Sequence, residues 1–526
     1  MTLNDRPEPN RNCIKFEIIR INRIGPDHNR TVSVNATALL WLQLRDDEHN
    51  TRRWLKGWPE MLLCVPPVKL FGFQQRRNFR SLANRFSFNG QSATEPQAQA
   101  SLDKECIDFL PWLERIAGAK ITNTLSIGKS VYGRALFASK VIHTGECMLR
   151  VPFNAQITPD ELPPEIRVSL TDEVGSIGKL AALLMIEMKR GQNSRWVPYI
   201  SRLPRPAEMH STIFWDEDEF SMIRCSAVHK ETVKQKARLE KEFSLVSEAF
   251  EQHLTNAIER PALENFMYAY ALVGSRAWET SKGISLIPFA DFMNHDGLSA
   301  SIVLSDEDNQ QSEVTADRDY SPGDEVLIRY GEFSNATLML DFGFTLPYNV
   351  HDEVQIQMDI PQDDPLRNMK LGLLQTHHTR SVKDISIFHS SCDTFTIKAV
   401  KSAKGKGKGI PQSLRAFARL LCCTSLQELD DLSREAAQND GRLARLPFED
   451  GCRELEAHKI ILSHINSLIE DHSACIEELE AYNCRFVSQR SAIIRKQMAR
   501  DLLFGELRVL TSVADWLSHY CTGLKT

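Results

Sequence analysis

The sequence predicts an α+β chain, with short strands in its centre, a helical insertion dividing them, and an all-helical C-terminal region. Three observations predict it. Around residues 131–151, and again over 301–330, short apolar runs are bounded by turn residues, the pattern of small strands. Between them, about 178–275, apolar side chains recur at helical spacing among charged ones. Beyond residue 355 a helical period dominates. At 526 residues the chain is too long for one core, so more than one domain is expected.

Folded sequence is expected to begin near Cys106, where Ile107, Leu110, Leu113 and Ile116 or Ala117 mark one face of a first helix. Val131–Ala138 and Glu146–Val151 read as two strands of one hairpin turning at His143-Thr144-Gly145. Gly178–Met188 is a helix, Pro198–Pro206 a loop, and Lys230–Ile258 a long charged helix with Leu239, Phe243, Val246 and Phe250 as its core stripe. A helix over Met267–Trp278 leads back to strands at Ser301–Leu304, Glu313–Ala316 and Glu325–Tyr330. These are separated by the turn signals Asp306–Gln310 and Ser321-Pro322-Gly323-Asp324. Near the C-terminus, Ile461, Ile465, Leu468, Ile476 and Leu479 keep one helical face, with His472 between them as a half-buried side chain. Arg485, Arg490, Arg495, Lys496 and Arg500 read as a solvated basic face, and Lys401–Gly409 as a flexible exposed turn.

Composition narrows the function classes. A net charge of -6 argues against a broadly basic nucleic-acid face, and no apolar run approaches the length of a membrane crossing. The 12 cysteines are scattered without a Cys-x-x-Cys pair, so neither a zinc site nor a disulfide framework is expected, and no metal is assigned. Residues 1–101 are expected to be poorly ordered. Within them, 61–94 contains no Asp or Glu while Lys69, Arg76, Arg77, Arg80 and Arg85 are spaced among Leu, Phe and Ser, which is transit-peptide composition. Met61 is a candidate start, the chloroplast the expected compartment, and the mitochondrion or cytosol the alternatives.

The chemistry sits in a few segments. Pro288-Phe289-Ala290-Asp291-Phe292-Met293-Asn294-His295 is followed one strand later by Arg329-Tyr330-Gly331 and then by Asp341-Phe342-Gly343-Phe344. With Gly133-Arg134-Ala135-Leu136, Trp196-Val197-Pro198-Tyr199-Ile200, Ser275-Arg276-Ala277-Trp278 and Ser334-Asn335-Ala336, these resemble the SET-domain methyltransferases. The likeness is to the branch typified by the plant Rubisco large-subunit lysine methyltransferase. The resemblance implies a SET-domain β fold of short twisted sheets over about 106–345, with a helical insertion. A knot-like threading of the Asn-His segment against the Tyr-Gly segment would close it, and a helical substrate-binding domain would follow over 355–526.

The resemblance also implies roles. S-adenosylmethionine is the cofactor and a folded non-histone protein the acceptor, with protein-lysine N-methylation expected and protein-histidine methylation or a non-catalytic adaptor as alternatives. Tyr330 is the catalytic tyrosine. Tyr132, Gly133 and Arg134 match the loop at the methionine end of the cofactor, and Arg276 the partner of its carboxylate. Asn294 and His295 match the pair that reads adenine and amino groups, and Phe344 an aromatic near the adenine. Asp291, Phe342 and Trp278 fall on the acceptor side. Four positions depart from the family pattern: Ala135 stands for a second glycine, Phe342 where tyrosine is frequent, Trp278 for a smaller aromatic and Thr280 for a basic residue. A monomer acting on protein, with no nucleic acid or membrane partner, is expected.

Overall fold

The computed structural model describes residues 22–24, 29–31, 101–103, 106–253, 261–377, 394–402, 406–438, 441–481 and 490–524. The expected basic stretch 61–94 and the linker before residue 101 lie outside them. The chain divides into two compact units, 1–95 and 96–526. In the first, strands β1 (Asn22–Ile24) and β2 (Asn29–Thr31) pair antiparallel, with Asn22 opposite Thr31.

The second unit opens with β3 (Ser101–Leu102) and helix α1 (Phe109–Ala117). Phe109, Leu113 and Ala117 are the buried face of α1, and Gly118 in the left-handed region ends it. Ile107, expected in that face, precedes the helix and is 71% exposed. Next come β4 (Leu125–Ser130), β5 (Gly133–Ala138) and β6 (Cys147–Pro152). Here the expected hairpin is corrected. β5 pairs backwards with β4 across the two-residue turn Val131-Tyr132, whereas β6 pairs with β11 (Gln311–Thr315), itself paired with β10 (Val303–Asp306). The 139–146 connection instead bridges Ile142 to Tyr320. Alternation identifies a strand but not its partner, and the tighter turn lay upstream.

The insertion is helical as expected. Helix α2 (Ser176–Arg190) is buried on nearly every side through Leu180–Ile186, α3 (Ala227–His253) buries Leu239, Val246 and Phe250, and α4 (Leu263–Arg276) buries Phe266 and Ala269–Val273. A helix apolar all round belongs at the centre of a core, and α2 takes that place. The chain leaves α4 directly into β7 (Ala277–Thr280), which pairs with β8 (Gly283–Leu286). Then β9 (Asn294–His295) lies parallel to β12 (Leu327–Ile328), with Asn294 opposite Leu327 and His295 opposite Ile328. The Asn-His and Tyr-Gly segments, far apart in sequence, are thereby placed side by side.

The C-terminal region is helical, with one two-stranded sheet at its start, β13 (Glu353–Gln357) and β14 (Thr394–Lys398). Helices α5 (Gln412–Leu421), α6 (Leu426–Gln438), α7 (Gly451–Ala481) and α8 (Arg490–Gly523) follow; α5, α7 and α8 share a core that includes Leu414, Ala457, Ile461, Ile465, Val509 and Val513, while α6 buries Leu429 and Leu432 in a second cluster. Three side chains differ from expectation. His472 is fully buried and ion-paired to Glu506 at 2.9 Å. Arg495 is no solvated residue: it pairs with Glu219 at 2.6 Å and donates to the carbonyls of Phe214 and Met209. Gly407, in the expected flexible turn, is buried against Arg415 and Trp516. Helical periodicity marks which face turns inward, but only the neighbouring element decides whether a charge on the flank finds a partner there.

Candidate active site

The chain places the end of β12 beside β9, and Tyr330 follows two residues after Ile328. The half-buried Tyr330 donates its hydroxyl to the Met293 carbonyl at 2.6 Å and its backbone N–H to His295 Nδ1 at 3.1 Å. Burial pushes the Tyr330 hydroxyl well above the usual phenol pKa, with nearby Arg276 opposing. That hydroxyl therefore stays protonated near neutrality. Burial likewise pushes His295 down to about 4, and a neutral ring is what an accepting Nδ1 requires.

Rings wall the tyrosine. Phe342 stacks on Tyr330 with centroids 5.5 Å apart, and Trp278 and Phe344 stand edge-on at 6.2 and 6.4 Å. His295 lies 5.0 Å from the tyrosine ring and 6.0 Å from Phe344. Trp278 arrives from β7, one turn of chain beyond Arg276, while Phe342 and Phe344 flank Gly343 at the end of a wide helical turn, Leu338–Phe342. Gly343 has φ +74, and a Cβ there would lie 2.8 Å from the Ser211 nitrogen, so only glycine lets this turn pack against 210–211.

Asp291 is buried beneath the site. Its Oδ2 accepts the Tyr199 hydroxyl at 2.8 Å, and Arg276 donates to its backbone carbonyl at 2.8 Å and approaches Oδ2 at 3.3 Å. Burial raises the Asp291 carboxyl above the usual range, and the Arg276 charge and Tyr199 bond resist that rise. Arg276, expected to face a cofactor carboxylate, is thus engaged by a carboxylate of the chain itself. Asp291, open to a plain turn role on sequence, is instead part of a buried polar cluster.

Across the site, Tyr132 and Gly133 are exposed at the β4–β5 turn, with Gly133 at φ +108 and nothing within 4 Å of where a Cβ would be. Arg134 turns away, its Nε on Asp103 at 3.1 Å and another nitrogen on the Arg202 carbonyl. Ala135 is buried within β5 opposite Gly128. Asn294 donates to Glu325 Oε1 at 2.8 Å and reaches Ser130 Oγ at 3.4 Å, and that same oxygen accepts the Tyr132 N–H at 3.1 Å. Tyr330, Asn294, His295, Phe342, Phe344, Trp278, Arg276 and Asp291 therefore converge, with the Tyr132-Gly133 turn on one rim.

Tyr199, Ser130 and Glu325 were not assigned roles from the sequence. Tyr199 lies in the Trp-Val-Pro-Tyr run, which marks it, and Glu325 directly follows a turn signal. Nothing in sequence, however, pairs either with its partner. The residues fit the S-adenosylmethionine that the resemblance implies: among the buried polar atoms, the donors His295 Nε2 and Arg276 Nε and the acceptor Asp291 Oδ1 lack a hydrogen-bond partner. A bare glycine turn and a partnerless ring N–H are features a heterocyclic ligand with a polar tail completes. No group of His, Cys, Asp and Glu among the described residues could hold a metal ion.

Residues 133–331 match the SET domain, and 361–510 match the family described as Rubisco LSMT substrate-binding. The chloroplastic ribulose-1,5 bisphosphate carboxylase/oxygenase large subunit N-methyltransferase of Nicotiana tabacum is 24% identical over 431 residues, 77% of this chain and 80% of that protein. The chloroplastic [fructose-bisphosphate aldolase]-lysine N-methyltransferase of Arabidopsis thaliana is 26% identical over 81% of this chain and 86% of its own length. The human actin-histidine N-methyltransferase is 24% identical over 77% of this chain and 67% of its own length. A solved structure of the SET domain of LSMT bound to lysine and AdoHcy superposes with a TM-score of 0.62 at 20% identity, over 81% of this chain and 93% of that one. The chain is thus a SET-domain protein of the protein-methyltransferase class, and its two matched domains, SET then Rubisco LSMT substrate-binding, resemble the Rubisco large-subunit N-methyltransferases over most of their length.

Proposed function

We propose that the chain is a protein-lysine N-methyltransferase that takes its methyl group from S-adenosylmethionine and acts, as a monomer, on a folded non-histone protein. The bound cofactor would supply an electrophilic methyl on a cationic sulfur. The remaining work is positioning. A lysine amine must be neutral to attack, and with a reference pKa of about 10.4 that costs roughly 4 kcal/mol near pH 7.5. A neighbouring cation and a dry, ring-lined entrance lower the cost.

One observation carries the reading. Tyr330 keeps its proton and donates it to the Met293 carbonyl, so its oxygen lone pairs remain free to accept an amine N–H and aim the nitrogen lone pair. Around the Tyr330 ring stand the rings of Trp278, Phe342 and Phe344. An aliphatic amine chain needs such walls and one oxygen. An imidazole acceptor needs in addition a partner for its second nitrogen; the rings packed on Tyr330 offer none, and the partnerless oxygen nearby, Asp291 Oδ1, is itself buried, which favours lysine. In this reading Asn294, His295, Phe344 and the Tyr132-Gly133-Arg134 backbone hold the cofactor, with Arg276 and Asp291 fixing the floor between the two ligands.

Histidine is the second reading, favoured by the likeness to actin-histidine N-methyltransferases. Labelled-methyl transfer into a lysate of the source organism, followed by acid hydrolysis and mass spectrometry, decides between them: methyl-lysine is expected, and label confined to methyl-histidine overturns the proposal. The chloroplast is the proposed compartment, supported by the chloroplastic relatives and the composition of 61–94. No helix among the described residues is long and apolar enough to cross a membrane. A fluorescent fusion of the full chain that remains outside plastids would overturn the compartment without touching the chemistry.

A further inference from the structure

S-adenosylmethionine carries an ammonium, a sulfonium and one carboxylate, so a negative group near its polar tail strengthens the hold on it. The positions expected to hold the cofactor include none: Tyr132, Gly133, Arg134, Arg276, Asn294, His295 and Phe344 are neutral or cationic. Arg276, a cation, bonds Asp291 through one nitrogen.

Glu325 stands where that charge is missing. Its backbone bridges to Phe137 of β5, and the flanking bonds from Val326 N to the Leu136 carbonyl and from Ala138 N to the Asp324 carbonyl hold 324–326 alongside that strand. The strand begins at Gly133, so Glu325 is fastened to the same strand as the bare glycine turn. Its side chain is half-buried and bonds to the Asn294 amide at 2.8 Å, and the same amide reaches Ser130 Oγ, which holds the Tyr132 N–H. One carboxylate is thus tied to both sides of the cofactor half of the site, close enough to Tyr330 for its charge to act on that hydroxyl.

The geometry points to Glu325 as the ammonium-binding residue of the site, accepting a charged hydrogen bond from the cofactor's α-amino group while its other contact orients Asn294. This rests on the S-adenosylmethionine reading above. A charge-assisted bond of this kind is worth roughly tenfold or more in affinity.

The test is calorimetric binding of S-adenosylhomocysteine and of its counterpart lacking the α-amino group to the full chain, in wild type and Glu325→Gln. Wild type is expected to prefer the amine-bearing compound by roughly tenfold or more, and E325Q to lose most of that preference while binding the amine-free compound as wild type does. An unchanged preference in E325Q, or equal weakening of both compounds, would overturn the assignment, the latter because Glu325 would then act only through Asn294. Should E325Q fail to fold, wild type alone still decides against it if both compounds bind equally. Wild type binding neither compound would overturn the cofactor reading itself, and this assignment with it.

Discussion

Tyr330 makes two bonds that together define what it can do: its N–H fixes the neutral His295 ring, and its O–H is committed to the Met293 carbonyl. A phenol held protonated by burial orients an amine and does not deprotonate it, so its removal should leave the cofactor half intact. In Tyr330→Phe, cofactor affinity measured by calorimetry is expected to stay within about twofold while the single-turnover rate falls at least roughly 100-fold, the scale of one positioned group. Unchanged turnover would remove Tyr330 from its role. The neutral His295 has a separate signature. Its folded pKa of about 4 lies below the usual 6.5, so its contribution to stability is present above pH 6.5 and is lost as pH falls through about 4. His295→Asn is expected to have a shallower loss of melting temperature across that window than wild type. His210, pushed down to about 4 by burial as well, keeps part of the slope in both.

At the scale of elements, the wide turn Leu338–Phe342 matters most, because it brings Phe342 and Phe344 to opposite sides of one glycine and both to Tyr330. Gly343→Ala combines a positive φ with a 2.8 Å approach to backbone, which has no flexible end to move aside. A destabilisation of about 1–3 kcal/mol is expected in denaturant unfolding, with a loss of transfer rate exceeding that of a remote variant of equal stability. Pairing of elements was the least legible level. The runs at 131–138 and 146–151 were visible as strands, yet the first folds back on Leu125–Ser130 and the second crosses to Gln311–Thr315. Alternation is a property of one strand, and register and partner are properties of two.

At the scale of the whole second unit, α8 joins the catalytic half to the helical half through polar side chains. Arg495 reaches Glu219, Asp501 the Thr345 hydroxyl, Glu506 the Ser226 hydroxyl, and Arg508 Asp352. His472 adds a charge to this set: both its nitrogens face acceptors, the Leu468 carbonyl and Glu506, so the imidazolium is the form that satisfies them. Burial disfavours that charge, but the bonds to Glu506 and Leu468 outweigh it and the pKa is raised. A raised folded pKa means the stabilisation is fully present below pH 6.5 and is lost as pH climbs through the folded value. Wild type is therefore expected to lose more unfolding free energy than His472→Gln between pH about 6 and about 9. Equal losses would show that the ring is neutral in the folded chain.

The sequence by itself determined the fold class and the order of the two domains, and it marked most of the residues that gather around Tyr330, because these rest on local signals: period, turn residues, and short runs such as Asp291–His295 and Asp341–Phe344. Tertiary structure alone decided who meets whom. Arg276 had the right chemistry for an outside carboxylate, but folding closed it on Asp291, with Tyr199 completing the cluster from about 90 residues upstream. Glu325 looked like the start of a strand until residues 324–326 lay alongside β5 and delivered a carboxylate to Asn294. Charge and hydrogen-bonding capacity are written residue by residue. Their partners are set by distance in space, which only packing of the whole unit fixes.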